Sequence, residues 1–155
     1  MFSWLETTGV ALWVGESLWG YPILLSLHAV GLAIVVGIFA MRDLRLLGLF
    51  PGIAPTVFLP LGKLGWSGFI VNAISGVLLF TSQAVTFVGN TAFLIKISCI
   101  IIAMSVAGII QSRLRVEAAA NTGLSAISNS TRVIAAISLS LWAGAIVAGR
   151  LVAYL

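Results

Sequence analysis

Charge is what this sequence has least of. Asp, Glu, Lys and Arg together make up 8% of its 155 residues, against roughly a quarter in ordinary soluble domains. It has one cysteine, Cys99, and one histidine, His28. A lone cysteine excludes an internal disulfide, and one His with one Cys cannot form a zinc site without other ligands. There is no Cys-x-x-Cys and no His-Glu-x-x-His. The phosphate-binding loop Gly-x-x-x-x-Gly-Lys-Ser/Thr is missing too, because Gly62-Lys63 has Val57 at the first glycine and Leu64 at the hydroxyl. Hydrolytic chemistry therefore has little support. The net charge of +4 comes from eight Lys/Arg spread along the chain without a basic cluster, so no nucleic-acid partner is expected.

What the sequence has in excess is apolar length. Its hydrophobic fraction is 61% and its mean hydropathy +1.19, more apolar surface than a soluble fold of one domain could bury. In a bilayer every backbone polar group must be paired within the structure, so only helices or a closed barrel can span it. Unbroken apolar runs without two-residue alternation exclude the barrel. The expectation is an all-α integral membrane four-helix bundle, one domain over residues 1–155. Spans are predicted near 19–41, 64–88, 90–111 and 131–154, each long enough for a hydrocarbon core of about 30 Å.

Residues 1–18 carry Glu6 and Glu16 among Phe2, Trp4, Leu5, Leu12 and Trp13. Two carboxylates suit a span poorly and tryptophans suit the headgroup region, so an N-terminal interfacial helix is predicted rather than a removable signal peptide. An extension of the first span packed on its neighbours is the other reading. Pro51, Pro55 and Pro60 with Gly48 and Gly52 mark 42–63 as a loop, and 112–130 is polar. The short turn at Gly89-Asn90 predicts that the second and third spans pair as a hairpin. Arg42, Arg45, Lys63, Arg113, Arg115 and Arg132 all fall in the first and third connections. Positive loops stay in the cytoplasm, so both termini are expected outside.

Small residues recur at helical spacing: Ala29, Ala33 and Gly37; Gly68, Asn72, Ser75 and Gly76; Ala92, Cys99, Ala103 and Ala107; Ala145 and Gly149. Such stripes mark close helix contacts in lipid and suit a homo-oligomer or larger membrane complex. Three ionisable residues fall at depth in the outer half. By helical rise His28 lies about 12 Å, Lys96 about 9 Å and Arg150 about 6 Å from the outer ends of their spans. Ionisable groups in a span usually face the bundle interior or a water-filled cavity, which makes this trio the candidate site. Against it, Lys96 and Arg150 could be anchors reaching the headgroups, and His28 a neutral imidazole bonded to a neighbouring helix. Asn72, Ser75 and Gln83 are expected to make interhelical hydrogen bonds, and Glu16 to pair with Arg150. Met104 lies too deep to oppose His28, whereas Cys99 is near its level.

Glu16-Ser17-Leu18-Trp19, Tyr21-Pro22, His28, Gly31, Asp43-Leu44-Arg45-Leu46-Leu47-Gly48 and Gly149-Arg150-Leu151-Val152-Ala153-Tyr154 together resemble a family of small bacterial inner-membrane proteins known only as a domain of unknown function. The resemblance spans most of the chain and implies four spans, without an activity. A weaker likeness, resting on a His one third of the way into a span, is to membrane b-type cytochromes and copper-resistance membrane proteins. Those hold haem between two histidines. With His28 alone, the second ligand would come from another subunit, from Cys99, or not at all. The expected function is a small subunit or partner of an electron-transfer system. It would bind haem b or a quinone through His28, Lys96 and Arg150, with His28 as the metal ligand. The alternative is a non-catalytic scaffold or transport-accessory subunit.

Overall fold

The computed structural model describes residues 2–119 and 127–154, and among them regular structure is entirely helical. Two short helices open the chain, α1 (Ser3–Glu6) and α2 (Gly9–Glu16), where one helix over 1–18 was expected. Thr7 and Thr8 make the break: each hydroxyl bonds back to a carbonyl three residues earlier, and Thr8 then caps α2 by accepting from the Ala11 N–H at 3.3 Å. α2 buries Ala11 and Val14 and leaves Trp13 exposed, so it packs on the helices that follow it.

Four helices are long and apolar enough to cross a membrane: α3 (Gly20–Leu46), α4 (Phe58–Thr81) with the 3-10 turn Pro55–Val57 before it, α6 (Thr91–Ala119) and α7 (Asn129–Leu151). α3 has 27 residues, about 40 Å at 1.5 Å per residue. It runs past the expected end at Met41, because Arg42 and Asp43 are buried as an ion pair rather than solvated in a loop. The helix stops at Gly48. Its N–H bonds to the Arg45 carbonyl and that of Leu49 to the Leu44 carbonyl, a closure that needs a left-handed residue, and Gly48 supplies it with φ +108°. Of the predicted loop 42–63 only the stretch between Leu46 and Pro55 is outside a helix. Pro60 falls in the first turn of α4, where a missing N–H leaves no intrahelical bond unmade. The other end of α4 lies at Thr81, so Gln83 is exposed beyond it rather than bonded between helices. A further short helix, α5 (Ala84–Gly89), bridges to α6, and the Glu6 carboxylate accepts from the N–H of Val85 in its first turn at 2.9 Å.

α3 packs most closely on α4 and α6 on α7, and α3 also meets α7, whereas α4 and α6 barely touch. The predicted hairpin between the second and third spans is thus not the packing unit. Glycine decides it: a Cβ on Gly31 would fall 2.8 Å from the Asn72 nitrogen and 2.9 Å from the Gly68 carbonyl oxygen, so α3 and α4 meet backbone to backbone. Ala103 and Ala107 are buried with Trp142, and Ala135 with Ile110 and Leu114, where α6 meets α7. The expected stripe on the first span fails. Ala29, Ala33 and Gly37 are exposed, and Gly37 has nothing within 4 Å of where a Cβ would sit. The buried side of α3 is Leu24, Gly31, Val35, Phe39 and Leu46.

Candidate functional site

The Gly31–Gly68 contact sets the position of His28, one turn earlier on α3. Its ring lies against Gly76 of α4, 3.0 Å from the site of a Cβ there. Its Nδ1 is 2.9 Å from the Asn72 carbonyl oxygen. A carbonyl only accepts, so Nδ1 carries the hydrogen and Nε2 keeps a free lone pair. Asn72 closes the joint from the other side by donating its Nδ2–H to the His28 carbonyl at 2.8 Å. Ser75 Oγ stands 3.3 Å from the same ring nitrogen and sends its own hydrogen to Val71 at 2.7 Å. His28 is therefore an interhelical tie, as Asn72 and Ser75 were expected to be, with one nitrogen still available.

Lys96 on α6 is half-buried, its stem laid over Gly149 of α7, with Cδ and Cε each 3.4 Å from the site of a glycine Cβ. It points inward, as its shared face with Ala92 and Ala103 suggested. Its ammonium makes no ion pair among the described residues, and it is the charge within electrostatic reach of the His28 imidazole. Arg150 is not brought to this pair. It is exposed and turned along its own helix, donating to the Tyr154 hydroxyl at 3.1 Å with its guanidinium 5.4 Å from the Tyr154 ring centroid. The expected Glu16–Arg150 pair does not form, since Glu16 is exposed and Arg150 is engaged by Tyr154. Cys99 faces α7, its Sγ 3.6 Å from the Cβ site of Gly144, and Met104 is buried in the core.

α4 and α6 touch at both ends of their junction. Phe80, Phe93 and Phe87 stack at 5.3–6.3 Å between ring centroids at the end near the termini. At the other end Gln111 Nε2 donates to the Leu59 carbonyl at 3.0 Å. His28 and Lys96 lie on helices that flank this junction, partly exposed.

Sequence reasoning missed a second polar locus near the end of α3. Arg42 and Asp43 are 1% and 0% exposed. Arg42 Nε and one terminal nitrogen both donate to Asp43 Oδ1, at 3.0 and 2.8 Å, and the other reaches the Ala107 carbonyl at 3.2 Å. Its guanidinium lies 4.9 Å from the centroid of Phe39, which stacks on Trp142 at 6.0 Å. The signal was adjacency: an Arg beside an Asp brings no net charge, so the pair can enter a helix joint that either alone could not.

These observations define a class, an all-helical protein with four helices fit to cross a membrane and an imidazole tied between two of them. Compared with family models, curated proteins and solved structures, the chain matches none.

Proposed function

We propose that this chain is a multi-pass protein of the bacterial inner membrane and a small subunit or partner of an electron-transfer system, with haem b or a quinone held at His28 and Lys96. The observation that carries the reading is the commitment of His28 Nδ1–H to the Asn72 carbonyl. A ligating histidine ordinarily gives its second nitrogen to such a partner, which fixes the tautomer and ring orientation and leaves the other nitrogen basic. The donor set fits one axial position and no more. His28 is the chain's one histidine and Cys99 faces another helix, so His28 is the residue of this chain that would hold a haem iron, and a second ligand would come from a partner subunit. The unpaired Lys96 ammonium suits a propionate or a quinone carbonyl. Either group would supply reversible electron uptake when bound. Arg150, turned to Tyr154, is assigned to anchoring the end of α7 at the outer headgroups.

The same proposal places both termini outside. Arg45, Lys63, Arg113, Arg115 and Arg132 lie on the first and third connections or the helix ends beside them, as expected of a cytoplasmic face. α1 and α2, with Trp4 and Trp13 exposed, would lie at the outer interface. Membership of the family of unknown function that the sequence resembles is part of this reading. One observation favours the rival, a scaffold or transport-accessory subunit in a homo-oligomer or larger complex. The exposed face of Ala29, Ala33 and Gly37 offers another helix a close approach. A reduced-minus-oxidised absorption spectrum of the purified protein, with analysis of its extracted quinones, separates the two. A haem difference spectrum or stoichiometric quinone is expected, and the absence of both contradicts the electron-transfer reading.

A further inference from the structure

The seam between α6 and α7 opens into an apolar groove of about 260 Å³ where α6 begins and α7 ends. Its floor is Ala92 and Ala148, both buried, and its walls are the exposed side chains of Ile95, Val147 and Leu151. Small residues set against each other leave the depth, and the larger ones on either side stand clear of it. Gly144 lines the inner end, seven residues before Leu151, so the groove runs roughly 10 Å along α7 at 1.5 Å per residue. Thr91, the first residue of α6, is the polar member of the lining.

The mouth carries the charge. Asn90 Nδ2 donates to the Val152 carbonyl at 3.4 Å, which pins the start of α6 to the end of α7 and sets Thr91 beside the last turn. Val147, Arg150 and Tyr154 follow at spacings of three and four and so share a side of α7, and Val147 is the groove's wall on that side. Arg150 donates to the Tyr154 hydroxyl at 3.1 Å, and both residues are exposed. A guanidinium has five N–H donors, and a hydroxyl that accepts keeps its own hydrogen. The pair therefore still offers several donors to an anion. α7 has no carboxylate, and that of α6, Glu117, lies at its far end.

An apolar slot that ends at a cation and a hydroxyl matches an apolar chain that ends in an anion. A neighbouring helix could fill the slot with apolar side chains but would leave Arg150 without a counter-charge, as would a neutral isoprenoid tail. We infer that the groove holds one acyl chain of an anionic phospholipid whose phosphate is bound by Arg150 and Tyr154. Guanidinium is the side-chain group best matched to phosphate oxygens. The inference rests on the reading of this chain as membrane-spanning and gives the Arg150 anchor a ligand. It is independent of what His28 binds.

Native mass spectrometry of the full-length protein in neutral detergent tests it, with phosphatidylglycerol or phosphatidylcholine of the same acyl chains as the probe. Wild type should bind one phosphatidylglycerol about tenfold more tightly than phosphatidylcholine, whose choline cation would stand beside Arg150. Arg150→Gln should abolish that preference, and Arg115→Gln, at the opposite end, should leave it intact. At Gly144 a Cβ meets Cys99 Sγ at 3.6 Å, an ordinary contact, so Gly144→Leu should fold, fill the groove and lose both lipids. If its thermal midpoint drops, Arg150→Gln decides alone. Equal affinity for the two lipids in wild type overturns the inference, as does a preference that survives Arg150→Gln or falls equally in Arg115→Gln. So does a wild-type dimer that a folded Gly144→Leu splits while lipid binding persists, since the occupant would then be a second copy. A chain that stays soluble without detergent and binds neither lipid would overturn the membrane-spanning reading itself.

Discussion

A buried arginine next to a buried aspartate is costly if either is removed and cheap if both are. Arg42→Ala strands the Asp43 carboxylate, 0% exposed, at the α3–α7 joint and also frees the Ala107 carbonyl. Breaking such a pair costs about 3 to 5 kcal/mol, whereas replacing both partners with apolar residues of similar volume is often neutral. In a denaturation titration in detergent, Arg42→Ala should lose most of its stability and the double variant Arg42→Leu/Asp43→Leu should recover it. A double variant as unstable as the single one would show that the pair holds the joint through its charges.

At the scale of helices, length and apolarity were legible and contact faces only in part. The four long helices follow from apolar runs that admit no other backbone-satisfied structure. Their ends shifted because proline in a first turn and a neutral Arg-Asp pair both sit inside helices, although composition reads them as loop. The α4 and α6 faces held, since Gly68, Asn72, Ala103 and Ala107 carry the contacts. The α3 face did not, because Ala29, Ala33 and Gly37 share helical spacing yet are exposed among the described residues, and spacing alone does not say which side a partner occupies. At the site, Lys96 could be oriented from its neighbours. The Asn72 carbonyl under His28 could not, since it depends on how deeply Gly31 and Gly68 interlock. Gly31→Ala should therefore destabilise by about 1 to 3 kcal/mol, as overpacking does, and Gly37→Ala should be silent in the isolated protein. Ala33→Leu, disruptive if the stripe were internal, should be silent too. Equal effects at Gly31 and Gly37, read from thermal stability in detergent, would mean that the α3 faces are reversed.

For the whole molecule, the packing order α4–α3–α7–α6 leaves the second and third spans with little direct contact, part of it at their ends. His28 and Lys96 sit in the parts of α3 and α6 nearer the chain termini, and the polar ion-pair joint sits nearer the opposite end. Orientation rests on the exposed basic residues at that opposite end. Single cysteines introduced at Arg113 and Gly52 in a Cys99→Ser background should resist an impermeant thiol reagent in intact cells, while one at Tyr154 reacts. Labelling at Arg113 from outside would invert the topology and put His28 in the inner half.

The central claim is that His28 offers Nε2 to a redox group while its other nitrogen ties α3 to α4. One interhelical hydrogen bond in a membrane is worth only about 0.6 kcal/mol on average, so His28→Ala should stay folded. The direct measurement is the redox-difference spectrum and quinone content of wild type and His28→Ala purified side by side, with circular dichroism to confirm the helices. Loss of the cofactor from a folded His28→Ala protein is the predicted result. Cofactor content unchanged by the substitution would contradict it.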